Sequence, residues 1–272
     1  MRLGLASPLA HDNAREWAAK MDELGCRSVV FPLTYEASDA DIADYLSAAK
    51  EYDLCIAEVG IWRNVFAVDR AEREEARRHA IGQLRLADEI GARCCVNIAG
   101  TYGGPQWDGG YRDNFSKECW DRIVLYVQDL LDEVHPAKTK FSLEPMPWMF
   151  PTGPDEYLKM IHDVDREAFG AHLDIVNMIN CPERYFFSDE FLEECFNKLS
   201  GLILSCHLKN IRLEPTLTFK LQETGVAEGT LNIRKYLELA DKEDTNMPLI
   251  IEHLTADEEY VKALRYVQGL LA

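Results

Sequence analysis

Arg93-Cys94-Cys95-Val96-Asn97-Ile98 is a strand-sized apolar run, and the loop after it reads Ala99-Gly100-Thr101-Tyr102-Gly103-Gly104-Pro105. Two architectures separate at this point. A doubly wound sheet that binds a dinucleotide would carry G-x-G-x-x-G here and pass straight into a helix whose N-terminal amides hold the pyrophosphate. Gly100, Gly103 and Gly104 do not keep that spacing, and Pro105 leads into a longer loop. No such fingerprint opens a helix elsewhere in the chain, so the stretch reads as loop chemistry and the fold as a closed barrel.

Working outward, short apolar runs alternate with longer helical patterns from one end to the other. The strand candidates are Arg2–Ala6, Ser28–Phe31, Leu54–Val59, Arg93–Ile98, Lys140–Glu144, Ala171–Asp174, Leu202–His207 and Leu249–Glu252. Between them the clearest helix carries Trp120, Ile123, Val124, Val127, Leu130, Leu131 and Val134 on one stripe, the period of a helix lying on a sheet. Further helices are predicted over Asn13–Leu24, Asp39–Tyr52, Asp69–Ile90, Asp155–Asp163, Ser188–Leu199, Leu231–Ala240 and Ala256–Leu270, several opened by Asp or Ser caps. Eight strand–helix units with no Pro/Ser/Gly-rich linker predict one α/β domain over residues 1–272, a (β/α)8 TIM barrel. The length of 272 residues suits that fold, which takes roughly 250.

The chain holds 29 Lys and Arg against 47 Asp and Glu, a formal net charge of −18. A surface this acidic repels phosphate backbones and anionic lipid, which argues against nucleic-acid and membrane partners. Apolar runs stay strand-sized, short of the about 20 residues of a membrane helix. The start, Met1 to Asn13, has no signal-peptide core, so a cytoplasmic location is expected. Eight cysteines without a C-x-x-C pair read as reduced core residues rather than a disulfide frame.

In a barrel of this type the chemistry gathers where strands end. Four consecutive strand candidates end in metal-ligand types: Glu144 after Phe141-Ser142-Leu143, Asp174 after Ala171-His172-Leu173, His207 after Leu204-Ser205-Cys206, and Glu252 after Leu249-Ile250-Ile251. Strand side chains alternate, so Ser142, His172, Ser205 and Ile250 share their face, while Leu143, Leu173, Cys206 and Ile251 turn to the helices. Three carboxylates inside one barrel mouth repel each other unless a cation holds them. A divalent ion with three anionic ligands and one neutral imidazole leaves a net charge of −1. The oxygen-rich set suits Mn2+ first, then Mg2+, and accommodates Co2+ or Zn2+.

These residues resemble the sugar phosphate isomerase/epimerase group of the xylose isomerase-like barrel superfamily, which includes ketose 3-epimerases, inosose dehydratases and hydroxypyruvate isomerases. The resemblance spans essentially the whole chain. It rests on the order Glu144, Asp174, His207, Glu252, on His207-Leu208-Lys209-Asn210 beside the family's H-x-K-D, and on Ala227-Glu228-Gly229 beside its G-E-G turn. It implies one divalent metal on those four residues, with Glu144 and Glu252 flanking a sugar as acid and base. Many members carry a His three residues after the Asp; Asn177 stands there, ahead of Asn180-Cys181-Pro182-Glu183-Arg184-Tyr185, which points to a subfamily with another substrate.

The implied chemistry removes a proton α to a carbonyl and stabilises the enediolate that results. The metal acts as Lewis acid and carboxylates move the protons. The substrate is expected to be a small sugar or keto-sugar. The alternative is a lyase that expels water or an aglycone from the same intermediate; a third reading is a sugar-binding subunit without turnover. Trp62, Trp107 and Trp148 are candidates to line the pocket, with Tyr102 and Phe150 beside them. Lys209, Arg212, Asn177 and Glu58 are candidates to touch substrate; Glu58, like Asn97 and His11, reads alternatively as a buried hydrogen-bonded partner, His172 as an interior residue and His253 as outward packing. The abasic-endonuclease branch of the superfamily fits less, lacking here its extra histidines and basic face. Homo-oligomers are common among such enzymes. No glycine-rich phosphate cradle follows the last strands, which favours an unphosphorylated sugar.

Overall fold

In the computed structural model, which describes residues 1–104 and 106–271, strands and helices alternate as the sequence pattern predicts. In chain order they are β1 (Arg2–Leu5), α1 (Ala14–Glu23), β2 (Ser28–Val30), α2 (Asp39–Glu51), β3 (Cys55–Gly60), α3 (Arg70–Ile90), β4 (Cys94–Asn97), α4 (Lys117–Val134), β5 (Lys140–Leu143) and α5 (Pro154–Val164). The second half continues with β6 (Phe169–Asp174), α6 (Ile175–Met178), α7 (Pro182–Phe186), α8 (Ser188–Leu199), β7 (Ile203–Leu208), β8 (Asn210–Leu213), β9 (Leu221–Thr224), α9 (Ile233–Glu243), β10 (Pro248–Ile251) and α10 (Asp257–Leu271).

Eight parallel strands close in the order β1-β10-β7-β6-β5-β4-β3-β2, and they are the eight read from the sequence. The helices begin where a short polar side chain can take up an unpaired amide. Asn13, Ser38, Asp69 and Ser116 each accept from the backbone N–H three residues on. Along α4, Trp120, Ile123, Val127, Leu130 and Leu131 are buried, the stripe that the spacing predicts.

Two features lie outside the expected pattern. The antiparallel hairpin β8–β9 pairs Asn210 with Thr224 and Leu213 with Leu221, and stands apart from the barrel sheet directly after β7. Between β6 and α8 the chain makes the short helices α6 and α7. Both features sit at the C-terminal mouth of the barrel, where they build walls over the strand ends.

Candidate metal centre

The strands β10, β7, β6 and β5 are neighbours in the barrel, and each brings one of the four predicted ligands to its mouth. Glu144, Asp174, His207 and Glu252 are all buried, and each has a ligand atom within 4.8 Å of the others'. Parallel register puts Asp174 beside His207. Local structure divides the labour of Asp174: Oδ1 caps α6 by accepting from the Asn177 N–H at 3.0 Å, while Oδ2 turns to the shared centre. Asn177 also donates from Nδ2 to Glu144 Oε1 at 2.9 Å and so orients that carboxylate.

His207 is held from below. Its Nε2 lies 3.1 Å from Glu58 Oε2, and its Nδ1 faces the centre, 2.9 Å from Glu252 Oε2 and 3.4 Å from Glu144 Oε1. Glu58 in turn accepts from Ser205 Oγ, which lies 3.0 Å from His172 Nδ1. Glu58, Cys94 and His172 make a second group with donor atoms within 4.8 Å of each other, the polar floor under the first. A carboxylate on the far nitrogen of a ligating imidazole fixes its tautomer and raises its basicity. Glu58, 1% exposed, has that position. Of its two expected roles, contact with substrate is therefore corrected, since the side chain lies one layer too deep, and the buried hydrogen-bonded partner is the one seen.

Lys209 continues the inward alternation of Ser205 and His207, and its ammonium enters the cluster, 2.7 Å from Asp174 Oδ2 and 2.8 Å from Glu252 Oε1. These are ion pairs without hydrogen-bond alignment: both carboxylate oxygens are buried and have no hydrogen-bond partner. Burial and mutual repulsion work against three ionised carboxyls. Asp174 gives way, its pKa pushed well up by burial and by Glu252 and Glu144. Burial and Glu252 also oppose the charge on Glu144, but His207 and Lys209 outweigh them and hold it down to about 2. Glu252 is held well below the usual range despite burial, by the same two cations. Burial alone would lower His207, yet Glu252, Glu58 and Glu144 raise it well above an ordinary imidazole. His172, by contrast, is lowered to about 4 by burial and by the charge on His207. Carboxylate oxygens gathered at one point and an imidazole nitrogen whose far side is held by Glu58 are what a divalent-cation site requires, and the Lys209 ammonium now among them shows the demand of the cluster for positive charge. The residues present fit that group.

Next to this centre lies a cavity of about 540 Å³ whose wall includes Trp148, Asn177, Ile211, Phe219, Glu223 and His253. Asn177, Trp148 and Lys209 thus stand at the cavity or in the cluster. The other expected contacts do not. Arg212 alternates away from Ile211 on β8, and its guanidinium engages Glu214 at 3.3 Å and Gln222 at 3.2 Å. Trp62, at φ 48°, folds its indole back over Gly60, where a Cβ would come within 2.0 Å of Nε1; only glycine leaves that space. Trp107 packs half-buried against the core, and neither it nor Trp62 is part of this wall. His253 was expected to pack outward. Instead β10 ends at Ile251, the backbone turns left-handed at His253 (φ 57°), and its Nδ1 meets Glu223 at 2.9 Å on the cavity side. Asn97 is the buried partner expected, bonding both the N–H and the C=O of Arg63.

Residues 12–270 match the family model described as xylose isomerase-like TIM barrel. No curated protein matches the chain in sequence. Among solved structures, a xylose isomerase-like TIM barrel protein from Mycobacterium smegmatis in complex with magnesium is 20% identical. Its TM-score is 0.67, with 97% of this chain and 90% of that one covered. D-psicose 3-epimerase from Clostridium cellulolyticum H10, solved with D-tagatose, is 13% identical at a TM-score of 0.70, covering 100% and 99%. The 3-keto-D-glucoside 4-epimerase of E. coli is also 13% identical at a TM-score of 0.70, covering 99% of each chain. At such identities the likeness is one of fold. The match over nearly the whole length decides the family: this chain belongs to the xylose isomerase-like TIM barrel proteins.

Proposed function

We propose that this protein is a divalent-metal-dependent isomerase or epimerase of a keto-sugar that works by moving a proton on the carbon next to the carbonyl. The observation that carries this reading is the closed, buried set of four ligand groups, each with a ligand atom within 4.8 Å of the others', in which Asp174 Oδ2 and Glu252 Oε1 are countered at close range only by the Lys209 ammonium. Glu144, Asp174, His207 and Glu252 would hold the ion: three carboxylates suit Mn2+ and Mg2+ alike, and the one imidazole nitrogen puts Mn2+ before the harder Mg2+. When bound it supplies Lewis acidity that withdraws the charge developing on the substrate oxygens.

The chain's own residues do the rest. Glu144 and Glu252 follow the outermost strands of the four-strand arc, so they approach the centre from its two ends. Ionised carboxylates there can take the proton from one carbon and return it to the same or the adjoining one. Asn177 keeps Glu144 oriented while it does so. Lys209, held 2.8 Å from Glu252, brings a positive charge beside the incipient enediolate. Eight free cysteines suit a reducing, cytoplasmic setting. Among the described residues no helix is long and apolar enough to cross a membrane.

The test is metal removal combined with isotope exchange. Dialysis against EDTA should abolish solvent-deuterium incorporation into keto-sugars, read by proton NMR, and Mn2+ should restore it. Full exchange by protein shown to be metal-free would overturn the reading. An unsaturated ketone with release of the leaving group would instead assign elimination: the α proton goes to a carboxylate, the C–O bond to the leaving group breaks, and the leaving group departs with a proton.

A further inference from the structure

The register of the hairpin β8–β9 gives it two faces. Ile211 pairs with Glu223 and Leu213 with Leu221, so these four side chains share one face, while Arg212 and Gln222 meet on the other at 3.2 Å. Glu223 is the charged one of the four. Its Oε1 lies 2.9 Å from His253 Nδ1, and its Oε2 lies 3.5 Å from Lys209 Nζ. Among the described residues the carboxylates within 4.0 Å of the Lys209 ammonium are Glu144, Asp174, Glu252 and Glu223, and Glu223 alone is outside the ligand set.

That contact matters because Lys209, 1% exposed, holds an oxygen that an ion needs. Oδ1 of Asp174 is engaged in capping α6 through the Asn177 N–H, which leaves Oδ2 for a cation. The Lys209 ammonium lies 2.7 Å from that same Oδ2. A dication that takes it removes one close counter-charge from the lysine and adds like charge beside it. A buried charge stripped of its partner is strongly destabilising, so metal affinity suffers unless another carboxylate receives the ammonium. Glu144 is not free to do so, being a ligand whose Oε1 already accepts from Asn177. Glu223, 36% exposed on the cavity wall, is.

Resting on the reading of Glu144, Asp174, His207 and Glu252 as a divalent-cation centre, we propose that Glu223 is the counter-ion that receives Lys209 when the metal enters. As the dication takes Asp174 Oδ2, the ammonium shifts from Asp174 to Glu223 and stays beside Glu252. His253, turned to the hairpin by its left-handed backbone (φ 57°), holds Glu223 in place for the exchange. The hairpin thereby sets how tightly the centre takes its metal without giving it a ligand.

The experiment uses Mn2+ alone and reads its affinity by electron paramagnetic resonance in the parent, Glu223→Gln, Lys209→Met and the double variant. Glu223→Gln should bind Mn2+ about threefold or more weakly than the parent, and Lys209→Met about threefold or more tightly, since the competing ammonium is gone. In the Lys209→Met background Glu223→Gln should have no effect, because no ammonium is left to receive. An equal loss in both backgrounds would make Glu223 a distant attraction for the ion or a prop for the hairpin, and overturns the proposal; so does parental affinity in Glu223→Gln. Should Lys209→Met fail to fold, a crystal structure of the Mn2+-loaded parent decides: Lys209 Nζ should lie nearer Glu223 than Asp174, and the reverse order overturns the proposal. A parent that does not bind Mn2+ removes the centre and the exchange together, whereas a parent that binds it and a Glu223→Gln variant that matches it remove the exchange alone.

Discussion

Among single side chains, Glu58 has the most leverage on the centre without belonging to it. It accepts from Nε2 of His207 at 3.1 Å, so it is Nδ1, once its proton is lost, that presents a lone pair to the ligand cluster. Glu58→Ala is expected to weaken Mn2+ binding about 10–100-fold, the usual cost of losing such an outer partner. Glu58→Gln, whose amide oxygen still accepts from Nε2, should recover most of it. Equilibrium dialysis with Mn2+ detected by electron paramagnetic resonance checks both variants; affinity in Glu58→Ala within twofold of the parent would rule out the positioning role. The four ligands were legible in the sequence because each ends an apolar run whose alternation assigns its face. The role of Glu58 was not, because it depends on a contact between β3 and β7 that no local pattern encodes. Lys209 shares the inward parity of His207, but its pairing with Asp174 and Glu252 follows only once three strands are brought together.

The elements were legible where caps and periodicity agree, as at Ser38 and Asp69, and illegible where the turn chemistry is weak. Between β8 and β9 the loop Glu214-Pro215-Thr216-Leu217-Thr218-Phe219-Lys220 has no Asn-Gly or Asp-Gly pair, the usual hairpin signal. Without the hairpin, Arg212 reads as a neighbour of the site; with it, strand alternation sends Ile211 to the cavity and Arg212 to Glu214. The junction of α3 and β5 depends on a single carboxylate. Asp88, in the last turn of α3, accepts from the backbone N–H groups of Ala137, Lys138 and Thr139 at 2.7, 2.5 and 3.1 Å. Burial works against its charge, but those donors outweigh it and hold the carboxyl below its usual 3.8. Asp88→Ala should therefore destabilise the fold by about 1–3 kcal/mol at pH 7. A depressed carboxyl contributes stability above its unfolded pKa and loses it as pH falls through the folded value. The gap in Tm between parent and variant should accordingly narrow below pH 3.8; a gap constant from pH 7 to pH 3 would mean that the charge is not its source.

On the scale of the whole molecule, a chain of formal charge −18 concentrates Glu58, Glu144, Asp174 and Glu252 inside its barrel and offsets them with His207 and Lys209. Those two cations let the protein fold before any metal arrives, so circular dichroism of EDTA-treated protein should show the barrel's secondary structure intact. Entry of a dication then has to displace protons. The His207 pKa is raised well above the ordinary imidazole value by Glu252, Glu58 and Glu144 against the effect of burial, so the imidazolium form is favoured and a metal that takes Nδ1 competes with its proton. The raised value contributes stability to the metal-free protein in full below about 6.5 and loses it as pH climbs through the folded pKa. Asp174, pushed up by burial and by Glu252 and Glu144, is shifted in the same sense. Mn2+ affinity should thus rise with pH across the neutral range, with at least one proton released per ion. Calorimetry in phosphate and in Tris, whose ionisation enthalpies differ, counts those protons directly. Binding with no proton released would mean that the ion does not take His207 Nδ1, and the ligand set would have to be redrawn around the carboxylates alone.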